Sequence, residues 1–146
     1  MDKIQEEQTK ILNELIQVCH DGSIGYSEAA KDVEDDELQT IFNRFSQQRK
    51  MYAEELKNEV LTLGGDPVNN RSTEGYLHHQ WLKIKSLVAS GDTESLIDAC
   101  KTGEQYAAEV YSSHVADANL PSFLREKVIK QYEMIKGAIQ QIEDLT

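Results

Sequence analysis

The stretch of sequence that decides the fold is residues 92–116, DTESLIDACKTGEQYAAEVYSSHVA. Apolar and small side chains recur in it at steps of three and four, the spacing that places them on one face of an α-helix. One charged residue, Glu104, lies inside that face, between Ile97 and Tyr111. A lone carboxylate is too costly to bury without a partner. The stretch therefore predicts a core helix in which Glu104 is paired, metal-bound or protonated.

The composition favours one acidic, mostly helical domain over residues 1–146. The chain contains only two prolines and eight glycines, so long helices are expected. Its net charge of -11 disfavours partners such as nucleic acid or an anionic membrane, which need a basic patch. No apolar run approaches the roughly 20 residues of a membrane helix, and the first residues contain no signal peptide. We therefore expect a cytoplasmic protein, with Cys19 and Cys100 as free thiols on apolar helix faces.

The helical periodicity continues through the rest of the chain. It predicts four long helices, with a shorter one before the third. They cover about residues 3–32, 38–63, 73–89, 92–116 and 121–145. Short connections make the first two long helices, and the last two, antiparallel hairpins, whereas residues 64–91 are long enough to travel the length of a bundle. The predicted fold is all-α, a ferritin-like four-helix bundle with a long crossover that contains an extra short helix. Trp81 is expected to anchor that short helix on the bundle.

A polar layer is predicted at the level of Glu104. Counting from the shared helix ends at ~1.5 Å per residue brings Asp21, Arg49 and Gln131 to the same depth. We expect a buried polar layer of these four residues, with Glu104 paired to Arg49 and helped by Asp21 and Gln131. A metal-bound Glu104, or one that reaches solvent or a water, remains an alternative.

The pattern of a di-metal site is missing from the sequence. Carboxylate bundles use a Glu with a His three residues later on each of two helices, and this chain contains no such pair. Arg49 instead brings a fixed cation to that level. We therefore predict no catalytic residue, no metal ligand and no cofactor. The open alternative is an atypical site in which His114 joins Glu55 and Glu59.

Several segments together resemble a bacterial family of uncharacterised four-helix-bundle proteins in the ferritin-like superfamily. The resemblance covers nearly the whole chain and rests on Asp21-Gly22 through Tyr26 to Ala29-Ala30, Arg49 to Leu56 before Leu63-Gly64-Gly65, Gly75-Tyr76-Leu77-His78 with Trp81, and Gly103-Glu104 with Tyr111. That family typically reads Glu-Arg-Gly-Glu where this chain has Lys101-Thr102-Gly103-Glu104. It also reads His-Arg-Gly-Trp where His79 and Gln80 stand here. The resemblance implies the fold and offers no catalytic residue.

Two classes of function follow from these features. The first is a non-catalytic bundle that acts by association with itself or with another protein, in a stress setting as the resemblance suggests. The alternative is a metal-binding or redox protein that uses an atypical carboxylate and histidine site.

Overall fold

The computed structural model describes residues 1–145, which form five helices and no strand. The helices are α1 (Lys3–Asp32), α2 (Asp36–Thr62), α3 (Tyr76–Ser90), α4 (Thr93–Ser112) and α5 (Ser122–Glu143). The predicted all-α class is confirmed, and so is the extra helix, α3, within the long connection between the second and third long helices. No helix among these residues is long and apolar enough to cross a bilayer.

The first hairpin is specified by caps at the starts of both helices. Asp2 accepts a hydrogen bond from the backbone N–H of Gln5 at 2.8 Å, while Gln5 accepts one from the N–H of Asp2 at 3.1 Å. This reciprocal capping box satisfies donors that the first turn leaves open. Asp35 caps α2 by accepting from the N–H of Leu38 at 3.0 Å. A turn of only three residues therefore separates α1 from α2, and the two helices pack along each other.

Glycines set the limits of the crossover. Gly64, with φ at 82°, ends α2, and Gly91, with φ at 74°, ends α3. Gly75 has φ at 92°, a conformation that L side chains rarely adopt and that cannot continue a helix backwards. The crossover helix consequently begins at Tyr76, three residues later than the sequence predicts.

The non-helical part of the crossover is fastened to one face of α1. Asn13 Nδ2 donates to the carbonyl of residue 66 at 3.0 Å, and Gln17 Nε2 donates to that of residue 70 at 2.8 Å. One turn further, Asp21 accepts from the N–H of Ser72 at 2.7 Å. These three α1 residues follow one another at steps of four, so they lie on one helix face. Residues 66–72, which we call the strap, therefore run along α1 in an ordered conformation.

Above that strap, α3 packs on α1 through an aromatic ring. Trp81 is 6% exposed, and a Cβ built on Gly25 would lie 2.3 Å from its ring. The prediction that Trp81 anchors the crossover helix is confirmed. Tyr26 contacts the same indole, with ring centroids 4.8 Å apart. A glycine at position 25 is thus what allows the two helices to approach closely.

The second hairpin departs from the prediction at its loop. Helix α4 begins as expected, with Asp92 accepting from the N–H of Ser95 at 3.1 Å, but it ends at Ser112 rather than at residue 116. The hydroxyls of Ser112 and Ser113 donate to the backbone carbonyls of residues 109 and 110, at 3.1 and 2.7 Å. Such local bonds compete with helical ones. The loop before α5 is accordingly longer than the periodicity alone indicates.

Candidate functional site

The centre of the bundle contains an ion pair between α2 and α4. Arg49 Nη1 donates to Glu104 Oε1 at 2.8 Å, and Nη2 makes a second, short bond to Oε2. The two side chains are 1% and 2% exposed. Gln48 also accepts from Arg49 Nε at 3.4 Å. The guanidinium is therefore held through all three of its nitrogens, in the bidentate geometry that makes Arg–carboxylate pairs strong.

The electrostatic environment keeps Arg49 charged. Burial by itself would lower the pKa of Arg49, but the negative charge and the hydrogen bonds of Glu104 outweigh it, so that its pKa lies above the usual value. Gly22 of α1 gives the arginine room, since a Cβ at that position would approach Arg49 Cγ to 3.3 Å. The pair is a permanent cation with its carboxylate in the middle of the core.

Asp21 is buried but does not join this pair. Its carboxylate accepts from the N–H and the hydroxyl of Ser72 and, at 3.3 Å, from Gln17 Nε2. The expectation that Asp21 helps to hold Arg49 is therefore wrong. Asp21 precedes Gly22 by one residue, which turns its side chain towards the crossover rather than towards α2.

Gln131 is also buried but belongs to a separate polar chain. Tyr111 donates its hydroxyl proton to Gln131 Oε1 at 2.7 Å, and Gln131 Nε2 donates to Glu55 Oε2 at 3.1 Å. Cys19 Sγ contacts the same hydroxyl at 3.0 Å. This series of hydrogen bonds runs from the core to the partly exposed Glu55 of α2. Gln131 therefore acts at the level of Tyr111, two helical turns from Glu104.

The register of α4 against α5 explains why the depth count failed for Gln131. Tyr111 meets Gln131, and Lys101 Nζ forms an ion pair with Glu143 at 3.0 Å. In an antiparallel pair these two contacts place Ala138 near the level of Glu104. The count assumed that helix ends coincide, whereas α5 stops about two turns below the start of α4. The structure brings together Arg49 and Glu104 and leaves Asp21 and Gln131 in other contacts.

Sequence reasoning did not identify two buried tyrosines, Tyr26 and Tyr111, and a buried cysteine, Cys19, as site residues. Burial raises the pKa of the Cys19 thiol to about 11, although the Tyr111 hydrogen bond opposes the shift. Burial also raises the pKa values of Tyr26 and Tyr111. All three occupy apolar helix positions, where a phenol or thiol is indistinguishable in sequence from ordinary core packing. Cys19 and Cys100 are both free and buried, so the expectation of free thiols is confirmed.

The alternative site around His114 is not assembled. His114 Nε2 lies 2.5 Å from Glu14 Oε2, whereas Glu59 binds Lys127 at 2.9 Å and Glu55 binds Gln131. The predicted meeting of His114 with Glu55 and Glu59 is therefore wrong. Within residues 1–145, no group of three or more His, Cys, Asp or Glu side chains is arranged to hold a metal ion.

Fold and site together define an all-helical bundle whose central layer is closed by an arginine–glutamate pair. The family model of a domain of unknown function, DUF2383, matches residues 7–118, and the chain belongs to that family. The match covers α1 to α4 and stops before α5. No curated protein sequence is significantly similar to the chain.

Proposed function

We propose that this protein is a non-catalytic helical bundle that acts by association, first of all with a second copy of itself. The ion pair of Arg49 with Glu104 carries the non-catalytic part of the proposal. It lies buried between α2 and α4, in the kind of core position that di-metal carboxylate bundles use for their metal ligands, and a guanidinium there repels cations.

A face on α2 and α5 supports the association part. It consists of Phe123, Lys130 and Met134 on one side of α5, with Phe123 and Met134 60% and 48% exposed, together with Tyr52 and Glu55 of α2, which line a groove with Phe123 and Lys130. We call it the α2/α5 face. A groove of about 500 Å³ opens between the two helices here. Large apolar side chains that share a face with charges are typical of association surfaces.

The mixed charge of the α2/α5 face favours a second copy as the partner. A twofold dimer joins the same patch on both subunits, so the patch must complement itself. Two glutamates and two lysines lie along this side of α5, at Glu126, Lys127, Lys130 and Glu133, and Lys127 is already paired with Glu59. A twofold rotation can bring Lys130 of one copy opposite a carboxylate of the other, around an apolar centre.

Light scattering coupled to size-exclusion chromatography tests the association. The wild type should be dimeric, and the double variant Phe123→Ser with Met134→Ser should be monomeric. The matched control is Ile4→Ser with Leu82→Ser, which removes two side chains of similar exposure, 57% and 50%, away from the face. A monomeric wild type, or equal dissociation of both double variants, would refute the proposed surface.

Metal analysis tests the non-catalytic part separately. Protein purified after growth with iron and manganese should contain no stoichiometric metal. About one or two ions per chain, as in di-metal bundles, would replace this proposal with the metal-binding or redox alternative.

The same proposal includes the wider assignments. Residues 1–146 form one domain of the ferritin-like superfamily, from a bacterial family, located in the cytoplasm and without a cofactor or a nucleic-acid or membrane partner. Two antiparallel hairpins joined by a long crossover support the superfamily. The link to stress comes only from the resemblance.

A further inference from the structure

A groove on the outer side of the α1–α2 hairpin is lined by charged, polar and apolar side chains, and the proposed function does not use it. It has a volume of about 530 Å³ and lies between α1 and α2, with Asn69 of the crossover at one side. Ile24 and Ala53 supply apolar lining. The groove is on the α1 side of α2, so it is distinct from the α2/α5 face.

Three lysines give this groove its charge. Lys31, Lys50 and Lys57 line it, and none of them forms an ion pair within 4.0 Å among residues 1–145. Two carboxylates also line it, but Glu28 is already bound to Arg71 at 2.7 Å. The lining therefore contains three lysines but only one carboxylate without an ion-pair partner among the described residues, Glu54. In a chain with a net charge of -11, this is a local reversal of sign.

Polar groups without a partner point to the same place. His20 lines the groove, but its Nε2 is buried and its imidazole is within hydrogen-bond reach of the backbone of Val68, so it is not among the groups open to a ligand. Ser27 and Gln47 supply side-chain donors that form no hydrogen bond within the described residues. Cations, uncommitted donors and an apolar lining are the features that recognise an organic oxyanion.

We propose that the groove between α1 and α2 binds a small organic anion through phosphate or carboxylate oxygens. Lys50 and Lys57 lie seven residues apart on α2, about two turns or ~10 Å. They provide the charge at two points along the groove, while Ser27 and Gln47 donate hydrogen bonds to the oxygens of the ligand. Ile24 and Ala53 contact the carbon body of the ligand.

Nuclear magnetic resonance titration of the isotope-labelled full chain tests this site. Pyrophosphate is the phosphate probe, and citrate is the carboxylate probe. Saturable shifts of amides in residues 20–31 and 46–57 are expected with at least one of them, and the stronger probe identifies the chemistry. Shifts that do not saturate, or that spread over the lysines of other helices, would overturn the site.

A pair of charge-matched variants separates a site from general attraction. Lys50→Gln with Lys57→Gln removes two charges from the groove and should weaken binding by at least about tenfold, since two charge-assisted contacts are lost. Lys83→Gln with Lys85→Gln removes two exposed charges from α3 and should leave binding unchanged. Equal weakening by both doubles would refute the proposal, as would an unchanged affinity in the groove variant.

Discussion

Removing one partner of the central ion pair should destabilise the protein severely. Glu104→Gln leaves the guanidinium of Arg49 in a layer where both side chains are at most 2% exposed. Breaking a buried pair in this way typically costs about 3–5 kcal/mol. For a chain of this length each kcal/mol shifts the melting temperature by about 2–4 °C, so a loss of about 6–20 °C is expected.

The double variant Arg49→Met with Glu104→Leu should recover much of that loss, because apolar replacement of a whole buried pair is often neutral or stabilising. The control is Glu28→Gln, which breaks the surface pair with Arg71. Since Arg71 and Glu28 are 34% and 42% exposed, this change should cost no more than about 1 kcal/mol.

Thermal melts of the four proteins, with and without a chelator, decide the matter. The reasoning fails if Glu104→Gln costs no more than Glu28→Gln, or if the double variant is as unstable as the single one. If chelator destabilises the wild type and the double variant also fails to recover, the ion-pair hypothesis is wrong and a metal-bound Glu104 takes its place.

Three further changes test the packing around this centre. Gly25→Ala should destabilise the fold by about 1–3 kcal/mol, because the new methyl group would lie 2.3 Å from the indole of Trp81. The fluorescence of Trp81 should shift to the red. An unchanged melting temperature would contradict the close approach of α1 and α3. The free energy of unfolding should fall as the pH rises from about 9 towards 11, because the Cys19 thiol has its ordinary pKa of 9.0 in the unfolded chain and therefore loses its proton before the native thiol, whose pKa is about 11. Unfolding curves at pH 8, 9 and 10 with no decline would refute the shift. Asp21→Ala should make the crossover sensitive to trypsin at Arg71, because it releases Ser72; cleavage at the wild-type rate would show that Asp21 does not fasten the strap.

The sequence predicts the helices better than their relative heights. Periodicity and capping residues locate α1 and the starts of α2 and α4, since those signals are local. The sequence places the start of α3 three residues too early, because the periodic pattern does not reveal the positive φ of Gly75 that sets this start. The early end of α4 at Ser112 depends on hydroxyl bonds that compete with one more helical turn.

The candidate site shows the same division. Arg49 and Glu104 could be paired from the sequence because both lie on inward stripes at the same depth counted from the helix ends. Gln131 could not be placed, because the height of α5 depends on the loop before it and on contacts with α4. Asp21 was misassigned because a buried position does not say which neighbour the side chain faces, and here the neighbour is an irregular loop.

The strap along α1 has a consequence for the order in which the chain folds. The side chains that hold its backbone, Asn13, Gln17 and Asp21, all belong to α1, which precedes the other helices in the chain. The hairpin of α1 and α2 closes a turn of three residues and is fast to form, whereas Arg49 must meet Glu104 across 55 residues of chain. If the intervening segment docks on α1 at Asn13, then Gln17, then Asp21, the long loop closure is divided into shorter ones. We therefore expect α1 to act as a template during folding, so that Arg49 and Glu104 meet only after the strap has docked on α1.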